Sequence, residues 1–190
     1  MAVLDGKKVA ILADNGVDEA ELLVPRRRLR EAGATVEVIA PQSGRIRLCK
    51  EKDWGDAIAV NWAVDEAVVD DYDALVLPGV EAPGIEAPGI EMDGDGRRRN
   101  ESAVQFVRDF CATGKPVAAI DEGERMLVAA DVVKGKTAAG QPRLKAELEK
   151  AGAHWVDRGV VDDHGLITGR EPGDLDAFVR TLIEELRGRA

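Results

Sequence analysis

Nucleophilic sulfur and imidazole are scarce in this sequence. Its 190 residues hold two cysteines, Cys49 and Cys111, and two histidines, His154 and His164. Two cysteines with no paired spacing exclude a disulfide framework and a zinc knuckle, and point to a reducing compartment, the cytoplasm. Aromatic residues make up 4% of the chain. No apolar run approaches the ~18 residues that span a bilayer, and no signal peptide is visible at the start, so a membrane is not an expected partner. Positive charge is also short: 26 Lys and Arg face 36 Asp and Glu, a formal net charge of −10. Such a surface repels phosphate backbones, so nucleic acid is not an expected partner. The densest cationic run, Arg26 to Arg28 with Arg30, lies among Glu19, Glu21 and Glu31 and reads as a solvated helix face.

What is present is a regular alternation. Apolar runs bounded by Gly, Pro and Asp alternate with segments of helical period, the pattern of a doubly wound, mostly parallel α/β sheet with helices on both faces. Strands are predicted over 8–13, 35–40, 74–77 and 115–120. An excursion around Trp54 and 57–60 reads as a short hairpin, and 160–168 as a hairpin turning at Asp163-His164-Gly165. Helices are predicted over 18–32, 102–112, 144–151 and 175–186, with another immediately after Ile120. No linker interrupts the chain, so residues 1–190 are expected to form one domain. One stretch is irregular: EAPGI occurs twice in tandem over 81–90, in a loop too long for an ordinary βα connection. It reads either as a surface insertion or as a cover over the sheet edge.

In doubly wound sheets the ligand crevice lies beyond the carboxyl ends of the strands. Two strand-to-helix junctions there share one pattern, Asp18-Glu19-Ala20-Glu21 and Asp121-Glu122-Gly123-Glu124. Helix capping accounts for acids in these positions, since Asp accepts from the first-turn amides and Glu favours the positive helix end. An alternative is a site: opposed carboxylates raise one pKa of the pair and hold an acid and a base together. A hard-cation site using Asp14, Asp18, Glu21, Asp121 and Glu122 is a third, weaker reading. No metal and no cofactor are expected.

Several segments in order resemble the ThiJ/PfpI superfamily, in its intracellular-protease-like branch with a class I glutamine amidotransferase-like fold. They include KKVAILADNGVDEAEL, REAGATVEVIAPQSG, the DWGD of residues 53–56, DEAVVDDYDALVLPG, AVQFVRDF, GKPVAAI, LEKAGAHWVD and GLIT. The resemblance implies a flavodoxin-like sandwich, homodimers or higher even oligomers, and peptidase, glyoxalase, deglycase or isonitrile hydratase activity. It also implies a nucleophile elbow with the pattern Ala-Ile-Cys-His-Gly-Pro. Here that stretch is Ala119-Ile120-Asp121-Glu122-Gly123-Glu124, with Asp at the cysteine position and Glu at the histidine position. The acid that contacts the family's nucleophile matches Glu21, with Asp18 beside it. Gly79, Val80, Gly123 and Gln141 fall in the pocket and oxyanion region.

From these departures the expected protein is a cysteine-independent, carboxylate acid–base enzyme acting on a small molecule by isomerisation, elimination, hydration or ring opening. Its catalytic groups are Asp121, Glu21, Glu122 and Asp18, and cysteine peptidase, glyoxalase and deglycase activities are excluded. The alternative is a non-catalytic relative that binds a small molecule or serves assembly. Neither Cys111, on an amphipathic helix, nor Cys49, in a loop near Trp54, is expected to replace the thiol. Neither histidine, nor Ser43 or Ser102, is placed for a triad.

Overall fold

The computed structural model describes residues 2–80 and 94–189, with 94–100 described by backbone alone. The tandem EAPGI segment lies outside the described residues, as does the expectation that it covers the sheet edge.

In chain order the elements are β1 (Lys8–Leu12), β2 (Val17–Asp18), α1 (Glu19–Glu31), β3 (Thr35–Ala40), β4 (Arg45–Lys50), β5 (Asp53–Ala59), β6 (Trp62–Ala63) and β7 (Ala74–Leu77). Then come α2 (Gly94–Ala112), β8 (Val117–Ile120), α3 (Glu124–Ala129), β9 (Thr137–Ala139), α4 (Lys145–Lys150), β10 (His154–Val156), β11 (Val160–Asp163), β12 (Leu166–Gly169) and α5 (Leu175–Gly188). Seven strands form the main sheet in the order β11-β12-β8-β7-β1-β3-β6. Every pairing in it is parallel except β11 with β12. The flavodoxin-like α/β architecture expected from the sequence is the one observed.

Near-continuous apolar strands are what a sheet covered on both faces requires. Side chains alternate across each strand, so two cores result. Val9 and Ile11 of β1, Val76 of β7 and Ile120 of β8 pack with Leu22 and Leu29 of α1 and Phe178 and Leu182 of α5. Ala10 and Leu12, Leu75 and Leu77, and Val117 and Ala119 face the other way, against Phe106, Val107 and Phe110 of α2, Leu127 of α3 and Leu148 of α4. Burying one such leucine or phenylalanine contributes roughly 1.5–3 kcal/mol.

The side sheet β2-β4-β5 is more extensive than the expected hairpin. It also corrects the placement of Cys49, which is no loop residue. Cys49 is fully buried in β4, in register with Asp18 of β2 and Trp54 of β5. Trp54 and Cys49 are neighbours through a strand ladder, which adjacency in the sequence does not reveal.

Candidate active site

Three loops at the carboxyl ends of β1, β7 and β8 converge on one crevice. The first is fixed by α1. Asp18 caps this helix, its Oδ1 accepting from the Glu21 amide at 2.8 Å. The Asp18 amide donates to the Gly79 carbonyl at 3.0 Å. The Glu21 side chain, fully buried, reaches back: its Oε2 accepts from the Gly79 amide at 2.6 Å. Asp18 and Glu21 thus clamp the end of β7 from both sides. Val80 continues this contact through an antiparallel bridge to Val17.

Gly79 is glycine for a steric reason. A Cβ there would lie 2.9 Å from Glu21 Oε2 and 3.1 Å from the Glu122 amide nitrogen. Gly123 is held more tightly, since a Cβ there would collide with the Leu77 carbonyl oxygen. The turn after β8 therefore sits directly on the end of β7.

That turn is the elbow. Asp121 follows Ile120 with φ +49°, in the left-handed region, where a residue other than glycine is strained. The chain then forms a 3-10 turn over Asp121–Gly123 before α3 begins. The capping account of Asp121 is corrected by this geometry. Gly123 occupies the N-cap position of α3 and no side chain caps that helix. Asp121 Oδ1 instead pairs with Arg143 Nη2 at 2.6 Å. Burial pushes the Asp121 carboxyl above its ordinary range, and Arg143 pulls part of that shift back. Asp18 and Glu171 are the acids that raise it further, so the expected proton-sharing pair of Asp121 with Glu21 is not what sets its charge.

Glu122 lies beside it, with Oε1 3.2 Å from Arg143 Nη2 and Oε2 2.7 Å from Arg125 Nη1. Arg125 in turn holds Glu147 with two nitrogens, at 2.9 and 3.0 Å. Gln141 opens the Pro142–Leu144 turn that delivers Arg143. Beneath the elbow is Glu124, fully buried, with neither carboxylate oxygen hydrogen-bonded. Its carboxyl is raised well above the usual range, first by burial and then by Asp121, Glu122 and Glu21. Burial and these neighbouring acids favour the protonated form of Glu124.

The structure places Asp18, Glu21, Asp121, Glu122, Gly79, Val80 and Gly123 at the carboxyl ends of β1, β7 and β8. Sequence reasoning misses Arg143, Arg125 and the burial of Glu124 beneath the elbow. An arginine just after a proline carries no signal for where its long side chain will reach. Among the described residues no group of three or more His, Cys, Asp or Glu is arranged to hold a metal ion.

A strand, a strained residue and a helix in succession, faced by a buried glutamate across a glycine, is the family geometry that the sequence resembles. The DJ-1/PfpI family pattern matches residues 7–185. The chain belongs to the DJ-1/PfpI family. Among DJ-1/PfpI relatives, the deglycase TK1284 of Thermococcus kodakarensis is 37% identical over 180 residues, covering 95% of this chain and 99% of that one. The deglycase PfpI of Pyrococcus furiosus is 34% identical with the same coverage. A crystal structure from Anabaena variabilis, a two-domain protein with DJ-1/ThiJ/PfpI-like and ferritin-like domains, superposes with a TM-score of 0.81 at 33% identity. That match covers 95% of this chain and 48% of the two-domain one.

These relatives overturn part of the reading from sequence. A branch set apart by its carboxylates, and a cysteine-independent carboxylate acid–base enzyme from which deglycase and cysteine-peptidase activities are excluded, do not stand against DJ-1/PfpI relatives that are deglycases by name along nearly the whole chain. The error has a physical source. Two residue identities at the elbow are a small part of a crevice, whereas the substrate a crevice admits is set by the whole of its walls.

Proposed function

We propose that this chain shares the reaction class named for its relatives, the removal of a sugar-derived carbonyl adduct from an amine, and that the reaction takes place at the elbow. The observation that carries this reading is the pairing of Arg143 with Asp121 and Glu122. A guanidinium already occupies the head of the elbow at 2.6 Å from a buried carboxylate. An adduct of an amine or guanidine is itself a cation, and it fits the same place. Asp18, Glu21, Asp121 and Glu122 outnumber Arg125 and Arg143 at the crevice, a surplus of carboxylates. Charge complementarity of this kind draws in a cation and orients it.

In this reading Asp121 and Glu122 hold the amine end of the adduct, Arg143 yields its place, and Glu21 keeps Gly79 and the elbow in register. Asp18 acts as a positioning residue through its cap. A single domain, a cytoplasmic setting and assembly into a homodimer or higher even oligomer belong to the same proposal. They are supported by the low cysteine content, by the family match over 7–185 and by the family resemblance. None of the helices among the described residues is long and apolar enough to cross a membrane.

The test uses carbonyl adducts of N-acetyl-lysine and of a neutral amide at equal concentration. The cationic adduct should be turned over preferentially, and Arg143→Ala should lower its KM by clearing the carboxylates. Equal handling of both adducts, with KM unmoved in Arg143→Ala, would remove the basis of this reading.

A further inference from the structure

The opposite edge of the main sheet carries a second feature. There β8 begins at Val117 and β12 at Leu166, while the elbow follows the last residue of β8, about 10 Å further along at the usual strand rise. A cavity of about 410 Å³ opens at this edge, and Arg108, Lys115, Lys136, His164 and Cys111 are among its walls. Ligand pockets commonly fall in the range of roughly 300–1,000 Å³.

The charges around it are unusual for a chain of net charge −10. Arg108 donates to the Ala130 carbonyl at 3.1 Å and to Gln105 Oε1 at 2.8 Å. Lys115 Nζ donates to the Asp70 and Val69 carbonyls at 3.2 and 3.5 Å. These acceptors are neutral, so no carboxylate among these contacts offsets the charge of either residue. Lys136 has Asp163 near it at 3.9 Å, and the same carboxylate is shared with His164 at 2.7 Å. Of the three permanent cations among the described residues on the walls, Lys136 is the one with this carboxylate beside it, while Arg108 and Lys115 are held by neutral oxygens. Gathering like charges around one hollow costs free energy, and an anion placed among them offsets it.

We propose that this cavity binds the phosphate group of a small phosphorylated molecule. The Arg108 guanidinium offers a planar pair of donors to phosphate oxygens, and Lys115 and Lys136 add ammonium point charges. The volume exceeds what a bare oxyanion fills, since a water occupies about 30 Å³. Val117, Val132 and Leu166 supply apolar wall for a carbon skeleton. The site is separate from the elbow and independent of the reaction proposed there.

The experiment is calorimetric titration of the full chain at low salt with glycerol 3-phosphate and, separately, with inorganic phosphate. Saturable binding that weakens at least about tenfold in Arg108→Gln/Lys115→Gln, and is unchanged in Arg180→Gln on the exposed face of α5, is the expected result. Tighter binding of glycerol 3-phosphate than of phosphate assigns a phosphorylated molecule; equal binding assigns free phosphate and overturns the larger ligand. Absence of saturable binding by either probe overturns the site. So does loss of binding in Asp121→Asn with none in the double variant, because the anion would then lie at the elbow. Should the double variant fail to fold, protection of Cys111 from alkylation by glycerol 3-phosphate in the parent supports the site equally, and unprotected Cys111 overturns the proposal.

Discussion

Burial and three neighbouring acids disfavour the charged form of Glu124 and raise its carboxyl well above the usual range. The native state then binds more protons than the unfolded one above the ordinary carboxylate range. Stability contributed at this position is therefore complete at acid pH and falls as pH rises from about 4.5, at up to ~1.4 kcal/mol per pH unit for one proton. Glu124→Gln keeps the shape and removes the proton. Thermal melts should show the variant gaining on the parent as pH rises above the ordinary carboxylate range; a constant difference would mean that the fold does not raise the Glu124 carboxyl. Cys111 gives a second prediction. Burial pushes its thiol up to about 11, against a slight pull from Lys136. About two units above an ordinary thiol leave roughly 100-fold less thiolate at neutral pH. Iodoacetamide should label Cys111 about that much more slowly than a free cysteine, and labelling at the free rate would contradict the placement.

The elements differ in how plainly the sequence announces them. β1, β3 and β7 are short apolar runs between glycines and acids, and their positions are legible within a residue. So is α1, whose Asp18 cap and Gly33 stop both stand in the sequence; Gly33 has φ +103°. α2 begins at Gly94, well before its apolar face at residue 102, because GDGRRRNE has no hydrophobic period to read. β9 is three small residues and gives no signal. The elbow is legible as a place, but its first residue reads falsely as a cap. An Asp at a helix start and an Asp held in a left-handed turn have the same letter, and only the backbone separates them. Two substitutions test this level. Asp18→Ala should lose ~0.5–2 kcal/mol through the α1 cap, with Asp18→Asn much closer to the parent in denaturant titration. Gly169→Ala should destabilise by ~1–3 kcal/mol, since a Cβ there would lie 2.9 Å from Phe178 and 3.2 Å from Ile120. A neutral Gly169→Ala would mean that β12 and α5 pack more loosely than described.

For the whole molecule, fold and crevice follow from sequence, while the reaction class does not. Two substituted positions at the elbow weigh less than a likeness running from residue 7 to residue 185. Assembly is open to a direct check at this scale: light scattering should give twice the 20.4 kDa chain mass or a higher even multiple, and a monomer at micromolar concentration would remove that part of the proposal. The central claim is that the elbow clears carbonyl adducts from amines with Asp121 meeting the amine end. The decisive measurement is the rate at which free N-acetyl-lysine is released from its carbonyl adduct, with the parent and with Asp121→Asn. Asn tolerates the left-handed conformation found here at φ +49°, so the variant should fold normally. Losing a charge-assisted contact worth ~1.5–3 kcal/mol should lower kcat/KM by roughly tenfold to a hundredfold. Release no faster than in buffer, or an Asp121→Asn protein as effective as the parent, would contradict the account.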